Sequence, residues 1–341
     1  FRRVLFRSQM EGYLMELEDS LMDIRDFTYR NYEIKASRIL LLFYTRFLEI
    51  PLLSRMDAVR EYVVDDYETL AGRDLNEEEQ QYFYEQFMAM YETRDIYVLY
   101  SRFLESIGMC PLPKLWYEKR MLRYEDVYPV LYLKYRLKGK NEHRNIKHLV
   151  IDEMQDYSYL QYVILHTLFS CRMTILGDKA QTLDETMRDV LLFLPKIFGK
   201  KMRTIVLNKS YRNTVEIATY AGAINQTTDL ELLDRHGKAV EEVYFSEEES
   251  MLKAIGENLS VGENGYETAA VIAMTEEKAR ELYELLKRRG IQASYIDRDT
   301  SVFERGLTVT TFYLAKGLEF DQVFGVFEEE ENPLMTQAKY I

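Results

Sequence analysis

The residues best equipped for chemistry stand in LVIDEMQDYS at 149–158, where an apolar run ends in two adjacent carboxylates, Asp152 and Glu153. A strand that delivers such a pair to its carboxyl end sets it over the crevice in which α/β sheets hold their ligands. There Asp152 can hold Mg²⁺ directly or through water, and Glu153 can polarise a water for attack on a γ-phosphate. The chemistry implied is phosphoanhydride hydrolysis. An apolar run followed by Asp-Glu also arises by chance, and the Gln155 and Asp156 that follow sharpen the pattern.

Three later segments carry related groups. In TILGDKAQTL at 174–183, Gly177 permits a sharp strand exit and Gln181 can hydrogen-bond both a phosphate oxygen and the attacking water, although a Gly-Asp turn after a strand is commonplace. In LNKSYRNT at 207–214, Arg212 is a candidate arginine finger and Tyr211 offers a flat face to a base; the plain alternative for Arg212 is a surface salt bridge. In TVTTFYLAKGLEFDQVFGV at 308–326, Lys316 and the Gly317 amide can meet phosphate and Glu319 can accept from a ribose hydroxyl, or the segment is simply a structural turn.

These residues need strands and helices to aim them, and the apolar spacing predicts which. From about Met10 to Lys140 apolar residues recur at three and four, as in Tyr13 to Phe27 and Tyr32 to Phe47, with prolines at 51, 111, 113 and 129 as punctuation. Asn76 before three glutamates reads as a capped helix start. This is an all-α region whose many Tyr and Arg residues could form a binding face, but whose aromatic residues, at helical spacing, are read as core. After Asn145 strands and helices alternate: strands at His148–Ile151, Met173–Leu176 and Thr204–Leu207, helices at Tyr159–Phe169 and Arg188–Phe198. A second such run has strands at Val240–Phe245, Ala269–Ala273, Gln292–Ile296, Leu307–Thr311 and Gln322–Val326, with helices from Glu247 and over Glu276–Arg289. The expected class is α/β with parallel layering.

Composition narrows the setting. A 341-residue chain, 47% hydrophobic, can bury two or three cores. Cys110 and Cys171 stand far apart without metal-ligand spacing, so a reducing cytoplasm is expected, with neither disulfides nor a zinc site. No apolar stretch approaches the roughly 20 residues of a membrane span. A net charge of −13 argues against a whole surface that binds phosphate backbone, leaves room for a local basic groove, and suits a protein partner or simply an acidic surface. Phe1–Ser8, FRRVLFRS, matches what a sequencing-library adapter yields on translation and is read as a non-native scar.

Taken together and in chain order, DEMQD, GDKAQ, SYRNT and AKGLEFD resemble motifs II to V of the UvrD/Rep-type superfamily 1 helicases. The likeness covers roughly residues 147–326. It implies two RecA-like, P-loop NTPase-type domains with ATP and Mg²⁺ between them, preceded by an all-helical insertion: residues 9–145 as the insertion, 146–213 as the latter part of the first domain and 214–341 as the second. By that likeness Asp152 serves Mg²⁺, Glu153 the attacking water, Gln181 and Arg212 the γ-phosphate, Tyr211 the adenine face, Gly317 the phosphates and Glu319 the ribose.

Within the family the chain is most similar to the HelD type, which acts on RNA polymerase. Only about 100 residues separate SYRNT from AKGLEFD, and Tyr313 and Leu314 stand where DNA helicases usually carry His and Ser. RNA polymerase is therefore the expected partner of a monomeric, cytoplasmic protein. A conventional 3′-to-5′ helicase on single-stranded DNA and a non-hydrolysing scaffold remain alternatives. No GxxxxGK[ST] occurs, since Gly139-Lys140, Gly199-Lys200 and Gly237-Lys238 lack its other residues. The expectation is a fragment, cut at both ends, of a longer ATP hydrolase, itself inactive without the phosphate loop and the final arginine motif.

Overall fold

The computed structural model describes residues 2–139, 143, 145–178, 181, 190–199, 202–225, 231–261, 265–300 and 305–328. The chain is mixed α/β and splits into two compact units, one of Phe1–Gly177 with Asp189–Met202, the other of Asp178–Arg188 with Arg203–Ile341.

The first unit opens with helix α1 (Arg2–Ser20), a short antiparallel hairpin of β1 (Phe27–Tyr29) and β2 (Tyr32–Ile34), and helix α2 (Ala36–Leu41), which runs into a π-turn at Leu42–Arg46. Helix α3 (Leu52–Ala71) starts after Pro51 and stops at Gly72, whose φ of 63° is the left-handed value that ends helices. Helix α4 (Glu77–Met88) starts as the sequence predicts: the Asn76 side chain accepts from the Glu79 amide and the Glu79 side chain accepts from the Asn76 amide. Helices α5 (Ile96–Ser106) and α6 (Tyr124–Lys138) complete the region.

Aromatic rings hold these helices together. Phe83 lies 4.8 Å from Phe27, 5.1 Å from Tyr29 and 5.7 Å from Tyr67, so one α4 side chain joins the hairpin to α3. Glu79 does the same with charge, accepting from Tyr29 Oη at 2.8 Å, from Arg30 at 2.9 Å and from both Arg73 Nη atoms. The Arg73 hydrogen bonds most of all, then those from Tyr29 and the Asn76 amide, hold its carboxyl well below the usual carboxylate range.

Two parallel strands, β3 (His148–Ile151) and β4 (Arg172–Ile175), pair in register with Ile151 opposite Ile175. Helix α7 (Tyr159–Leu168) lies between them in sequence, capped by a reciprocal Ser158–Gln161 pair. Ile151, Met154 and Tyr162 bury against Val190 and Leu194 of helix α8 (Val190–Phe198). The other face of α7 joins the helical region, since Tyr159, Val163 and Leu168 belong to the same core as Phe103 and Leu133.

In the second unit, β5 (Lys209–Ser210) and β6 (Glu231–Leu232) form a short parallel pair flanking helix α9 (Val215–Asn225) in sequence. Then come helix α10 (Glu248–Asn258), β7 (Thr268–Ala273), helix α11 (Glu276–Arg288), β8 (Ala293–Tyr295), β9 (Gly306–Thr311), the short helix α12 (Phe312–Ala315) and β10 (Gln322–Val326). The four last strands make an all-parallel sheet in the order β10-β7-β9-β8. Ala279, Leu282 and Leu286 of α11 and Leu252 of α10 bury with Val271 and Val309.

Four sequence expectations change. The region before residue 145 contains the β1–β2 hairpin and is not wholly helical; the helix expected to reach Phe27 ends at Ser20, and Phe27 turns inward from a strand. Thr204–Leu207 is irregular, with Leu207 84% exposed, because the pairing starts two residues later at Lys209. Val240–Phe245 is irregular as well, and Val243 and Tyr244 are exposed. An apolar run becomes a strand only where a neighbouring backbone accepts it.

Truncating the fully buried Phe83 to Ala is expected to cost about 3–5 kcal/mol, as for other core aromatics. Phe83→Leu costs clearly less. Chemical denaturation of the two variants checks this.

Candidate functional site

At the carboxyl end of β3 the chain turns through Asp152 and Glu153. Glu153 has φ 52° and ψ 52°, a left-handed conformation that costs a side-chain-bearing residue about 1–2 kcal/mol. Two hydrogen bonds and the burial of one partner hold it there. Asp152 Oδ1 accepts from the Glu153 amide at 2.9 Å, Gln155 Nε2 donates to Glu153 Oε2 at 2.5 Å, and the Gln155 side chain belongs to a residue only 2% exposed. The turn is thus braced from below by a buried amide, leaving Asp152 exposed and Glu153 half-buried.

The two strand exits are stitched together beyond their ladder. Leu176 N donates to Ile151 O at 2.8 Å, and Met154 N donates to Leu176 O at 2.8 Å. Gly177 follows so closely that a Cβ there would stand 2.5 Å from Met154 N and from Gln155 Oε1. The glycine is therefore required by crowding. Beneath the turn, the fully buried Tyr162 donates its hydroxyl to Met154 O at 2.9 Å, and burial raises the phenol pKa so that it keeps its proton.

The remaining sequence-predicted residues lie in the second unit. Gln181 is half-buried, its amide donating to Asp178 O at 3.2 Å; Lys179, Ala180 and residues 182–189 lie outside the described residues. Tyr211 is 63% exposed. Arg212 Nε meets Glu319 Oε1 at 2.6 Å, with both side chains more than half exposed. The two groups assigned to opposite ends of a nucleotide are therefore each other's partner. Gly317, at φ 85°, makes the left-handed turn that brings Glu319 round, and Leu318 N closes it on Ala315 O at 2.9 Å. Asp321 anchors the far side, accepting from the Thr268 amide at 3.0 Å and hydroxyl at 2.9 Å.

Sequence reasoning missed a clasp behind the SYRNT segment. His236 Nδ1 lies 2.8 Å from Glu216 Oε1, its Nε2 lies 2.9 Å from Asp234 Oδ1, and the Gly237 amide donates to Glu216 Oε2 at 2.9 Å. The adjoining backbone is tied too, with Val215 N on Arg235 O at 2.9 Å and Arg235 Nη1 on Arg212 O at 3.2 Å. His236 lowers the Glu216 pKa to about 2, helped by the Gly237 amide, and Glu216 and then Asp234 raise that of His236. The signal in the sequence is a lone His between Asp234-Arg235 and Gly237, which no spacing rule connects to Glu216.

A separate groove at the carboxyl ends of β7 and β10, lined by Phe245, Met251, Met274 and Lys278 among others, contains none of the sequence-predicted site residues. Among the described residues no three or more His, Cys, Asp or Glu side chains cluster to hold a metal ion. In comparisons with known proteins, no family model matches the chain and no curated protein matches it. The motif resemblance therefore carries its functional reading on the residues alone.

Gly177→Ala is expected to destabilise by about 1–3 kcal/mol, the usual range for overpacking, because the atoms it meets include backbone. A denaturation curve of this variant beside Gly199→Ala, where the added Cβ meets nothing within 4 Å, separates crowding from loss of glycine freedom at a left-handed position. For the clasp, Glu216 contributes above its unfolded value, near 4.3, and less as pH falls toward about 2. His236 contributes fully below its unfolded value, near 6.5, and loses its contribution as pH rises through the raised folded value. The clasp is strongest between those limits. NMR titration of the His236 ring should give a pKa above 6.5 that returns toward it in Glu216→Gln.

Proposed function

We propose that this chain forms part of a superfamily 1 ATP-driven motor of the HelD type, with its two α/β units as RecA-like domains and an RNA polymerase complex as what it remodels. The carrying observation is the pair of stitched strand exits, which holds Asp152 and Glu153 at the same end of a parallel pair as the glycine opening GDKAQ. Ligands of open α/β sheets bind at that end.

The donor set fits Mg²⁺ in its usual mode beside a nucleotide. Mg²⁺ commonly takes one or two carboxylates, substrate phosphates and water, so the single exposed Asp152 is enough without the closed protein cage that is lacking among the described residues. When bound, the ion neutralises charge on the β- and γ-phosphates. Glu153 orients the attacking water and takes its proton, and Gln155 is a positioning residue that fixes the carboxylate through Oε2. Arg212 and Gln181 meet the γ-phosphate, Tyr211 the base and Glu319 the ribose. For these roles the Arg212–Glu319 pair must open, and an exposed pair of this kind is worth only about 0–1 kcal/mol.

RNA polymerase as partner rests on the short interval between SYRNT and AKGLEFD, on Tyr313 and Leu314 before the latter, and on the acidic balance of −13. A surface of that charge is poorly suited to wrapping duplex DNA.

The 341 residues contain no GxxxxGK[ST] loop, so the purified chain is expected to turn over ATP at background rate, unchanged in Glu153→Gln. Turnover that Glu153→Gln abolishes would show that another element cradles the phosphates. The partner is tested by size-exclusion chromatography of the nuclease-treated chain with core RNA polymerase. Co-elution supports the HelD-type reading; separate elution sinks it.

A further inference from the structure

The one tryptophan of the chain is among its most exposed side chains. Trp116 is 81% exposed, beside Tyr117 at 80% and near Tyr124 at 75%, whereas the other large aromatics of the helical region mostly pack inward. All three lie on or at the end of a strap, residues 109–123, that joins α5 to α6 without regular structure except one 3₁₀ turn at Tyr117–Lys119.

The strap is fixed in place. Leu112 N donates to Ser101 Oγ at 3.1 Å, and Tyr97 Oη donates to Pro113 O at 2.9 Å. Arg120 grips it from within, donating to Leu115 O at 3.1 Å and to Asp95 at 2.6 Å while its guanidinium lies over the rings of Tyr97 and Tyr117 at 4.7 and 5.8 Å. A strap backbone and a Tyr117 ring held by such contacts lose little freedom when something stacks there. The charge is also local and of the opposite sign to the chain. Residues 109–124 carry Lys114, Lys119, Arg120 and Arg123 against Glu118, in a protein of net charge −13, with Arg120 paired to Asp95 and Arg123 lying 3.9 Å from Glu125 Oε1. Among the described residues neither Lys114 nor Lys119 has an acidic partner, and both are exposed.

Exposed flat rings flanked by the unpaired Lys114 and Lys119 suit an extended polyanion that carries flat apolar rings of its own. We propose that the strap is a binding platform for single-stranded nucleic acid, with bases stacking on Trp116 and Tyr117 and phosphates meeting Lys114, Lys119 and Arg123. A lipid surface fits less well, because the strap's irregular backbone would take unsatisfied amides into the membrane. The platform lies apart from the Asp152–Glu153 turn in sequence and does not depend on nucleotide chemistry there.

Trp116 reports on its own occupancy. The full chain is titrated, at about 50 mM salt, with an oligo(dT) of about 20 nucleotides, with polyglutamate and with phosphatidylglycerol vesicles, following tryptophan emission. The platform predicts quenching by oligo(dT) alone, weakening with added salt. By anisotropy of labelled oligo(dT), Trp116→Ala/Tyr117→Ala lowers affinity at least about fivefold. Lys114→Ala/Lys119→Ala makes the slope of log affinity against log salt shallower by about 0.7 for each phosphate that is no longer neutralised. Unchanged circular dichroism confirms that these surface variants fold. Absence of quenching, equal quenching by polyglutamate or vesicles, or full affinity in the aromatic double variant would each overturn the proposal. So would shielding of Trp116 by core RNA polymerase with no binding of oligo(dT), which would make the strap a protein contact.

Discussion

A pair of parallel strands can present reactive side chains at its end only if the backbone beyond the last rung still has partners. Here Leu176 N on Ile151 O and Met154 N on Leu176 O carry the ladder past β3 and β4 and into the turn. This stitching fixes where Asp152 and Glu153 sit, forces Gly177 to lack a side chain, and leaves Met154 O pointing to the buried Tyr162 hydroxyl. Tyr162 in turn belongs to the core that α7 and α8 build, so the position of the carboxylates is set by packing on the opposite side of the turn from solvent. Buried hydrogen-bonded tyrosine and buried Gln155 together make the turn stiff without using either carboxylate oxygen of Asp152 beyond Oδ1.

The helical region is held by a different balance of forces. Its core is unusually aromatic, and edge-to-face ring pairs such as Phe27–Phe83 and Tyr29–Phe83 supply orientation that aliphatic packing would not. Tyrosine hydroxyls reaching this core need acceptors, and they find them: Tyr13 on Leu99 O at 2.9 Å, Tyr100 on Asp126 at 2.7 Å and Tyr91 on Leu52 O at 2.5 Å. Many tyrosines can therefore be buried here with little penalty. The same logic isolates the strap between α5 and α6, where Trp116 and Tyr117 lie outside that network and Arg120 directs its hydrogen bonds to holding the strap.

Local signals made some elements readable from sequence. The Asn76 cap, the amphipathic pattern of α11 and the short apolar runs of β7, β9 and β10 each state their own geometry, and the structure has them within a residue or two. The strand end that carries the carboxylates was readable because a short apolar run stops at Asp152-Glu153 and the following Gln155 and Asp156 sharpen a pattern that otherwise arises by chance. What was not readable depends on partners distant in sequence. Phe27 becomes a strand residue because Phe83 and Phe87 receive it, and Thr204–Leu207 stays irregular because β6 pairs with Lys209 and Ser210 instead. Glu153's left-handed backbone follows from Gln155 and Gly177, two residues whose motif gives no hint of that conformation.

In the proposed function, the two sets of groups assigned to a nucleotide would start from different states. Glu153 is already held, at a backbone cost of about 1–2 kcal/mol that the buried Gln155 and the strand stitching offset. Arg212 and Glu319 are instead engaged with each other in water, where the pair contributes about 0–1 kcal/mol. A bidentate contact between a guanidinium and a phosphate is charge-assisted and stronger than that exposed pair, so a γ-phosphate within reach would win Arg212. Losing the pair frees Glu319 at the same moment. The clasp of His236, Glu216 and Asp234 ties the Arg212 backbone through Arg235, so in the proposed function the side chain would change partner on a fixed backbone. Side-chain exchange on a fixed backbone lets such a site respond to a ligand without first refolding the segment that carries it.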